Sequence, residues 1–314
     1  MNFVNHPLWL VGFRPFFTLA CLAGLSLPVV WALMLAGTIA PPPAPFSPSQ
    51  WHAHEMFFGF GWAVLGGFLL TASKNWVKVR GYHGLPLIIL VAAWLLERAG
   101  MWFAGTLPPL VFRLASNLFL TSIVGMLLWT LLRHRDTDSF RDNHFFLIIL
   151  PLFLVAKNLL LGSESFAAGA AMTLALFRVA FLVMLERTVT QFMKNALGAD
   201  ILRNPLLDGS IKLLALLLVA GSLLPPAFSA ALSLLLALLL AIRFACWQPQ
   251  RALRRLEIGI MYLGYLAIVA QLVLQGSELL APPPWLGSLA THVFTFGAMG
   301  LIIPAMLIRI CKGH

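Results

Sequence analysis

The sequence predicts an all-α fold, a bundle of about ten transmembrane helices with both termini on the cytoplasmic side. Of its 314 residues, 60% are hydrophobic and only 10% are charged, whereas a soluble domain has about 25% charged residues. Mean hydropathy is +0.90. These values exclude a soluble globular protein, a disordered chain and a disulfide-rich secreted module.

Ten apolar runs, each near the length of one membrane span, follow one another along the chain. They lie at 16–37, 52–73, 85–104, 109–132, 145–162, 167–189, 211–225, 228–245, 258–280 and 288–311. The first run is too long for the core of a signal peptide and nine runs follow it, so we interpret it as a retained helix. We therefore treat 1–314 as a single integral membrane helical domain.

The lysines and arginines alternate between successive loops. Cations occur before the first run, after the last run, and in the loops 74–84, 133–144, 190–210 and 246–257. The loops 38–51, 163–166, 225–227 and 276–287 have none. By the positive-inside rule, both termini are cytoplasmic. The net charge of +10 does not indicate nucleic-acid binding, because the cations do not form one soluble basic face.

The cation-free loops are rich in proline, as at 41–45, 108–109, 225–226 and 282–284. Two interpretations are open. Stiff proline segments could cap an outward-facing site, or the prolines could simply punctuate the loops.

Four histidines near the ends of apolar runs are candidate metal ligands, because imidazole binds iron, copper and zinc. They are His52, His54, His292 and His314. His292 and His314 are 22 residues apart, or about 33 Å along a helix, and cannot bind one ion. We expect His292 near His52 or His54 at the outer side, and His314 near the inner side with Arg14. Hydrogen bonding to lipid or loop is the competing interpretation.

His52 and His54 open the second run. On a helix their side chains diverge by about 200° and face different neighbours. We expect His52, Glu55 and Met56 to share one face and His54 to lie on another, with His54 the deeper ligand. In the last run, His292, Met299 and Met306 share a face, which fits either copper(I) ligation or ordinary packing.

Among the cations within apolar runs, Arg113, Lys157 and Arg178 are candidate anion partners. A cation in hydrocarbon is costly unless it is paired, and the chain has few acids at that depth. An anion from outside the chain, such as a haem propionate, would compensate them. The alternative is snorkelling, or pairing with Glu97, Glu164 or Glu278.

Four groups of residues together resemble the NnrS family of bacterial haem- and copper-containing membrane proteins. They are Gly12–Phe17; Trp51–Met56 with Gly67–Ala72 and Asn75-Trp76; Arg187–Val189 with Phe192 and Asn195–Leu197; and His292, Gly297, Gly300, Met306, Arg309, Gly313 and His314. Any one motif alone is weak, but the combination covers the chain from end to end.

The resemblance implies a protein of the bacterial cytoplasmic (inner) membrane with about twelve spans and a role in nitric oxide metabolism or tolerance of nitrosative stress, often beside denitrification. It implies non-covalent haem b and copper, without saying which histidine binds which. By carry-over the metal ligands are His52, His54, His292 and His314. The supporting residues are Glu55, Arg14, Met306 and Arg309. The family pattern continues past Gly313-His314 for about two more spans, so we expect a short member or a truncated chain.

Three functions compete at this point. The first is a metalloprotein that acts on nitric oxide or nitrosylated iron, by redox turnover or by sequestration, in contact with membrane lipid and an unidentified redox partner. The second is a transporter or permease for a small anionic solute, with Arg113, Lys157 and Arg178 along its path. The third is a non-catalytic protector of other metalloproteins. A visible absorption spectrum distinguishes the first from the second.

Overall fold

A computed structural model describes residues 3–43, 45–281, 283 and 286–312, with side chains as far as residue 308. Ten helices in this part of the chain are long and apolar enough to cross a membrane. They are α1 (Phe13–Leu35), α2 (Pro48–Trp76), α3 (Leu85–Trp102), α4 (Pro109–Arg133), α5 (Arg141–Leu161), α6 (Phe166–Leu197), α7 (Pro205–Leu223), α8 (Pro226–Cys246), α9 (Leu256–Leu280) and α10 (Leu289–Ile308). The described residues contain no strand, so the all-α prediction with ten spans is confirmed. The cytoplasmic placement of both termini stays a prediction.

Several helices begin earlier than their apolar runs predicted, and capping explains the early starts of α2 and α7. α2 starts at Pro48, where Ser47 Oγ accepts a hydrogen bond from Gln50 N at 3.2 Å and Gln50 Oε1 accepts one from Ser47 N at 2.8 Å. This reciprocal capping box and the proline at the first position start the helix before its apolar part. α7 starts at Pro205, capped by Asn204, in a first turn that is too polar for the hydropathy pattern to include.

Several prolines of the cation-free loops begin helices. Pro48, Pro109 and Pro226 each occupy the first turn of a span, where the missing N–H costs nothing. This placement agrees with the interpretation of these prolines as loop punctuation. Pro282 and Pro284 lie outside the described residues.

Two spans contain a seven-residue π-helical segment. These segments are Glu55–Gly61 in α2 and Val293–Met299 in α10. Each begins at the residue after a predicted metal ligand, His54 or His292. Such wide turns are rare and occur frequently at functional sites.

The chain divides into two compact units, Met1–Ala170 and Ala171–His314. In the first, α1 packs closely on α2, because a Cβ at Gly67 would lie 2.7 Å from Phe16 Cβ. In the second, a Cβ at Gly276 would lie 2.8 Å from Leu234 Cγ, between α9 and α8. Small residues allow membrane helices to approach where no hydrophobic effect drives them together. The single domain over 1–314 stays a prediction.

Candidate functional site

The two histidines of α2 face different neighbours, as the helical interpretation predicts. His54 is fully buried. His52 is half-buried and stacks on Trp31, with ring centroids 4.4 Å apart. The deeper position of His54 agrees with the expectation, while the metal-ligand role of either residue stays a prediction.

Glu55 contacts His54, although the sequence predicted the two residues on different faces of a helix. Glu55 Oε1 is 3.1 Å from His54 Nδ1 and forms a hydrogen bond with it. The two residues are adjacent in the chain, and the flexible Glu55 side chain reaches the neighbouring ring. The carboxylate therefore orients the imidazole directly.

The other ring nitrogen of His54 points toward a second buried acid. His54 Nε2 lies 3.3 Å from Glu97 Oε1 in α3, but the alignment is not that of a hydrogen bond. Glu97 Oε2 likewise has no hydrogen-bond partner within the described residues. His54 is thus placed between two carboxylates and bonded to one of them.

Two cations neutralise these carboxylates. Lys157 Nζ from α5 donates a hydrogen bond to Glu97 Oε1 at 2.5 Å and another to the carbonyl oxygen of Ser116. Arg98 pairs with Glu55 Oε2 at 3.0 Å and with Glu97 Oε1 at 2.9 Å. We call His54, Glu55, Glu97, Arg98 and Lys157 the His54 cluster. Its two carboxylates pair with its two cations.

The sequence interpretation of this cluster was incomplete. Lys157 pairs with Glu97, which was the alternative to an external anion. Neither Glu97 nor Arg98 was predicted as a site residue. The sequence could have indicated both, because they are an adjacent acid and base inside the third apolar run, and an ionisable residue at membrane depth indicates a functional site by default.

The π-helical segment of α2 makes room for Arg98 and gives α3 a contact. A Cβ at Gly59 would lie 2.5 Å from Arg98 Nη1, so glycine is what allows the guanidinium to reach Glu55. Trp94 Nε1 donates to the Gly59 carbonyl oxygen at 3.1 Å. This bond satisfies a carbonyl of the irregular turn, a group that would be costly unpaired in a membrane.

His292, in the second unit, is oriented by its own helix. Its Nδ1 is 2.9 Å from the carbonyl oxygen of Ser288. Because a carbonyl oxygen only accepts, Nδ1 carries the proton and Nε2 keeps a lone pair. The ring stacks on Phe296 at 5.7 Å. The expected proximity of His292 to His52 or His54 stays a prediction.

The remaining predicted anion partners differ in environment. Arg113 is exposed. Arg178 is fully buried, and its Nη1 donates to Gln271 Oε1 at 2.8 Å and to Gln275 Oε1 at 3.1 Å. Arg178 forms no ion pair with a described acid, including the predicted alternative Glu278. Arg178 is therefore a buried cation without a counter-charge among the described residues.

A second charged cluster lies within the second unit and was missed by the sequence interpretation. Glu186 pairs with Arg203, Lys212 and Arg243, and Asp208 pairs with Arg203 at 2.8 Å and Arg243 at 3.5 Å. Burial lowers the pKa of Arg203, but the hydrogen bonds and charges of Asp208 and Glu186 outweigh it and raise that pKa above its ordinary value. This cluster ties α6, α7 and α8 together.

The supporting residues are only partly described. Arg14 is exposed and donates to the Pro7 carbonyl oxygen at 2.8 Å. Met306 is half-buried in α10. The side chain of Arg309 and the whole of His314 lie outside the described residues, so their predicted roles stay predictions.

The fit of a metal or haem rests on single histidines. Within the described ranges no three His, Cys, Asp or Glu side chains are grouped as a metal site. A haem iron, however, needs one imidazole nitrogen with a lone pair. His292 Nε2 meets that requirement, and His54 Nε2 is a buried nitrogen without a hydrogen bond.

Comparison with known protein families supports the resemblance. A family model described as NnrS protein matches residues 7–314, nearly the whole chain. No curated protein and no solved structure matches the chain.

Proposed function

Because the chain belongs to the NnrS family, we propose that it is a multi-pass protein of the bacterial cytoplasmic membrane that binds haem b and copper. It acts in nitric oxide metabolism or in tolerance of nitrosative stress, with nitric oxide or nitrosylated iron as its target. Family membership supports the chemistry. One structural observation supports the location of the site.

That observation is a local construction shared by His54 and His292. Each is followed by a seven-residue π-helical segment. Each has a phenylalanine four residues later in ring contact, Phe58 at 5.5 Å and Phe296 at 5.7 Å. A glycine follows in both, and Nδ1 is hydrogen-bonded in both. His52 has none of the first three features.

This construction prepares an imidazole for a metal. The bond at Nδ1 fixes the tautomer and the ring orientation, as it does for most metal-ligating histidines. The phenylalanine restricts rotation of the ring. At His292, Nε2 is free for a ligand, whereas at His54 it faces Glu97 Oε1 at 3.3 Å, and that carboxylate would have to move for a metal to bind there. At His54 the partner of Nδ1 is the carboxylate of Glu55, at 3.1 Å. A bound haem iron or copper ion would supply reversible nitric oxide binding and electron transfer.

The test is metal content in single variants of the full-length protein purified in detergent. We expect His54→Ala and His292→Ala each to lose one of the two cofactors, measured by the Soret band, a haem extraction assay and copper analysis. His83→Ala, an exposed loop histidine, is the matched control and should retain both.

The two histidines of α2 give a second comparison. We expect His52→Ala to keep the ion that His54→Ala loses. If both variants lose the same metal completely and keep the other, the two act as one chelate and the proposed inequivalence is wrong. A wild-type protein without pigment or copper that moves nitrite or nitrate into proteoliposomes would instead establish the permease.

A further inference from the structure

Arg178 is a buried cation deep within a membrane span. It lies about 18 Å along α6 from Phe166, near the middle of its apolar part, and has no exposed surface. Ionisable residues at this depth are costly, face the bundle interior and are retained where they act on a charge.

Two glutamines of α9 hold one nitrogen of this guanidinium. Arg178 Nη1 donates to Gln271 Oε1 and Gln275 Oε1. Gln271 Nε2 also donates to Gln275 Oε1 at 2.8 Å, so the three side chains form one network. The network fixes the plane of the guanidinium without neutralising its charge.

The opposite edge of the guanidinium is unused. Neither Nε nor Nη2 of Arg178 has a hydrogen-bond partner among the described residues. These two N–H groups point the same way, in the fork that binds the two oxygens of a planar anion. An unpaired buried donor is costly, and here two of them are adjacent on one cation.

The described acids of the second unit do not fill this edge. Glu186 and Asp208 are bound by the other cluster's cations. Glu278 lies on the same face of α9 as Gln271 and Gln275, at i+7 and i+3, but forms no ion pair with Arg178. The described partners of Arg178 are therefore amide oxygens and no carboxylate, and an anion from outside the chain would supply the missing counter-charge.

We propose that Arg178, Gln271 and Gln275 form an intramembrane binding site for a planar oxyanion that presents two oxygens. The chemical class is a carboxylate, or an inorganic anion of the same shape such as nitrite. The carboxylate source is a propionate of bound haem, a case that rests on the proposed function. The inorganic source is a free solute, and this case does not depend on the proposed function.

The free-anion arm uses the haem-free, full-length protein in detergent. Thermal unfolding is followed by tryptophan fluorescence in sodium nitrite, sodium formate and sodium chloride at equal ionic strength. We expect nitrite and formate to raise the Tm of the wild-type protein relative to chloride. Arg178→Gln should abolish this shift, and Arg178→Lys should weaken the apparent affinity about 10- to 100-fold, because lysine keeps the charge and loses the fork.

Stability in chloride, without an added planar oxyanion, separates a binding role from a structural one. Arg178→Gln should unfold at a higher temperature than the wild-type protein in chloride, because an uncompensated buried charge is gone. Arg113→Gln removes an exposed charge and should change neither the Tm nor the anion response. If Arg178→Gln unfolds earlier than the wild-type protein and the anion response is unchanged, the proposal is wrong.

The haem arm compares haem b with haem dimethyl ester, whose propionates are uncharged. If a propionate fills the site, the wild-type protein binds haem b about 10- to 100-fold more tightly than the ester, and Arg178→Gln binds both alike. Equal binding of both haems by the wild-type protein, together with no nitrite or formate shift, overturns the proposal.

Two outcomes distinguish this proposal from the haem proposal and from pairing of Arg178 with an internal acid. A protein that binds no haem but responds to nitrite through Arg178 keeps the oxyanion site and removes the haem proposal. If Glu278→Gln abolishes the stability difference between Arg178→Gln and its parent, Glu278 is the counter-ion and the site is not one for an external anion.

Discussion

Glu97→Gln gives the sharpest test of the His54 cluster, because it removes one charge and preserves the shape. Glu97 has no exposed surface. Its Oε1 accepts a hydrogen bond from Lys157 Nζ at 2.5 Å and pairs with Arg98 Nη2 at 2.9 Å. In the variant, Glu55 alone has to compensate both cations.

The expected loss of stability depends on which partners each cation retains in the variant. Removing one partner of a buried ion pair costs about 3–5 kcal/mol, since the remaining charge stays buried. Arg98 retains Glu55 at 3.0 Å and is 13% exposed, whereas Lys157 retains the Ser116 carbonyl oxygen and the Phe58 ring at 5.6 Å but no directly paired carboxylate. We therefore expect a loss of about 3 kcal/mol, near the lower limit of that range, mostly from Lys157.

The assay is unfolding in mixed detergent micelles with increasing SDS, followed by tryptophan fluorescence. The matched control is Glu164→Gln, which removes an exposed acid and should change the free energy of unfolding by no more than about 0.5 kcal/mol. A Glu97→Gln protein as stable as this control would refute the electrostatic account of the cluster.

A double variant tests the pairing itself. Lys157→Met removes the stranded cation and replaces it with an apolar side chain of similar length. We expect Glu97→Gln with Lys157→Met to be more stable than Glu97→Gln alone, because no unpaired charge remains at that position. Losses that simply add would mean that the two residues do not interact as a pair.

Three further predictions follow. Gly169→Ala should reduce stability by several kcal/mol, because its Cβ would lie 2.2 Å from a backbone nitrogen of α5. Gly125→Ala, with nothing within 4 Å of its Cβ, should be neutral or stabilising by up to about 1 kcal/mol. SDS unfolding compares the two variants, and equal losses of stability would contradict the packing. Glu186→Gln should cost about 3–5 kcal/mol in the same assay, and Asp200→Asn, at an 84% exposed acid, about 0.5 kcal/mol or less; similar effects would show that the second cluster is not buried in solution. Reporter fusions should place the loop 38–51 outside the cytoplasm, and a cytoplasmic signal there would overturn the topology.

The spans were predictable because hydropathy over about 20 residues is a local property. The first residues of the helices were less predictable. α2 begins at Pro48 and α7 at Pro205, in turns where capping hydrogen bonds, and not hydropathy, determine where the helix starts. The divergence of His52 and His54 also followed from local geometry alone.

The partners of the buried charges were not predictable, because pairing depends on which helices pack together. Lys157 and Glu97 are 60 residues apart, and either Glu97 or an external anion satisfied the sequence argument equally. The contact of Glu55 with His54 lay outside the prediction based on helical faces, because a face does not determine how far a flexible side chain reaches. The sequence does contain a pattern that links the two candidate ligands, because His54 and His292 are each followed at +4 and +5 by Phe-Gly.

The balance of buried charge distinguishes structural residues from the candidate binding residue. In the His54 cluster two carboxylates pair with two cations, and in the second cluster Glu186 and Asp208 each pair with at least two cations. Both arrangements stabilise the fold, since every carboxylate in them has cationic partners. Arg178 is different, because the described residues give it amide oxygens and no carboxylate. Burial without compensation makes the helix bundle less stable, so an anion that the protein binds explains this residue better than packing does.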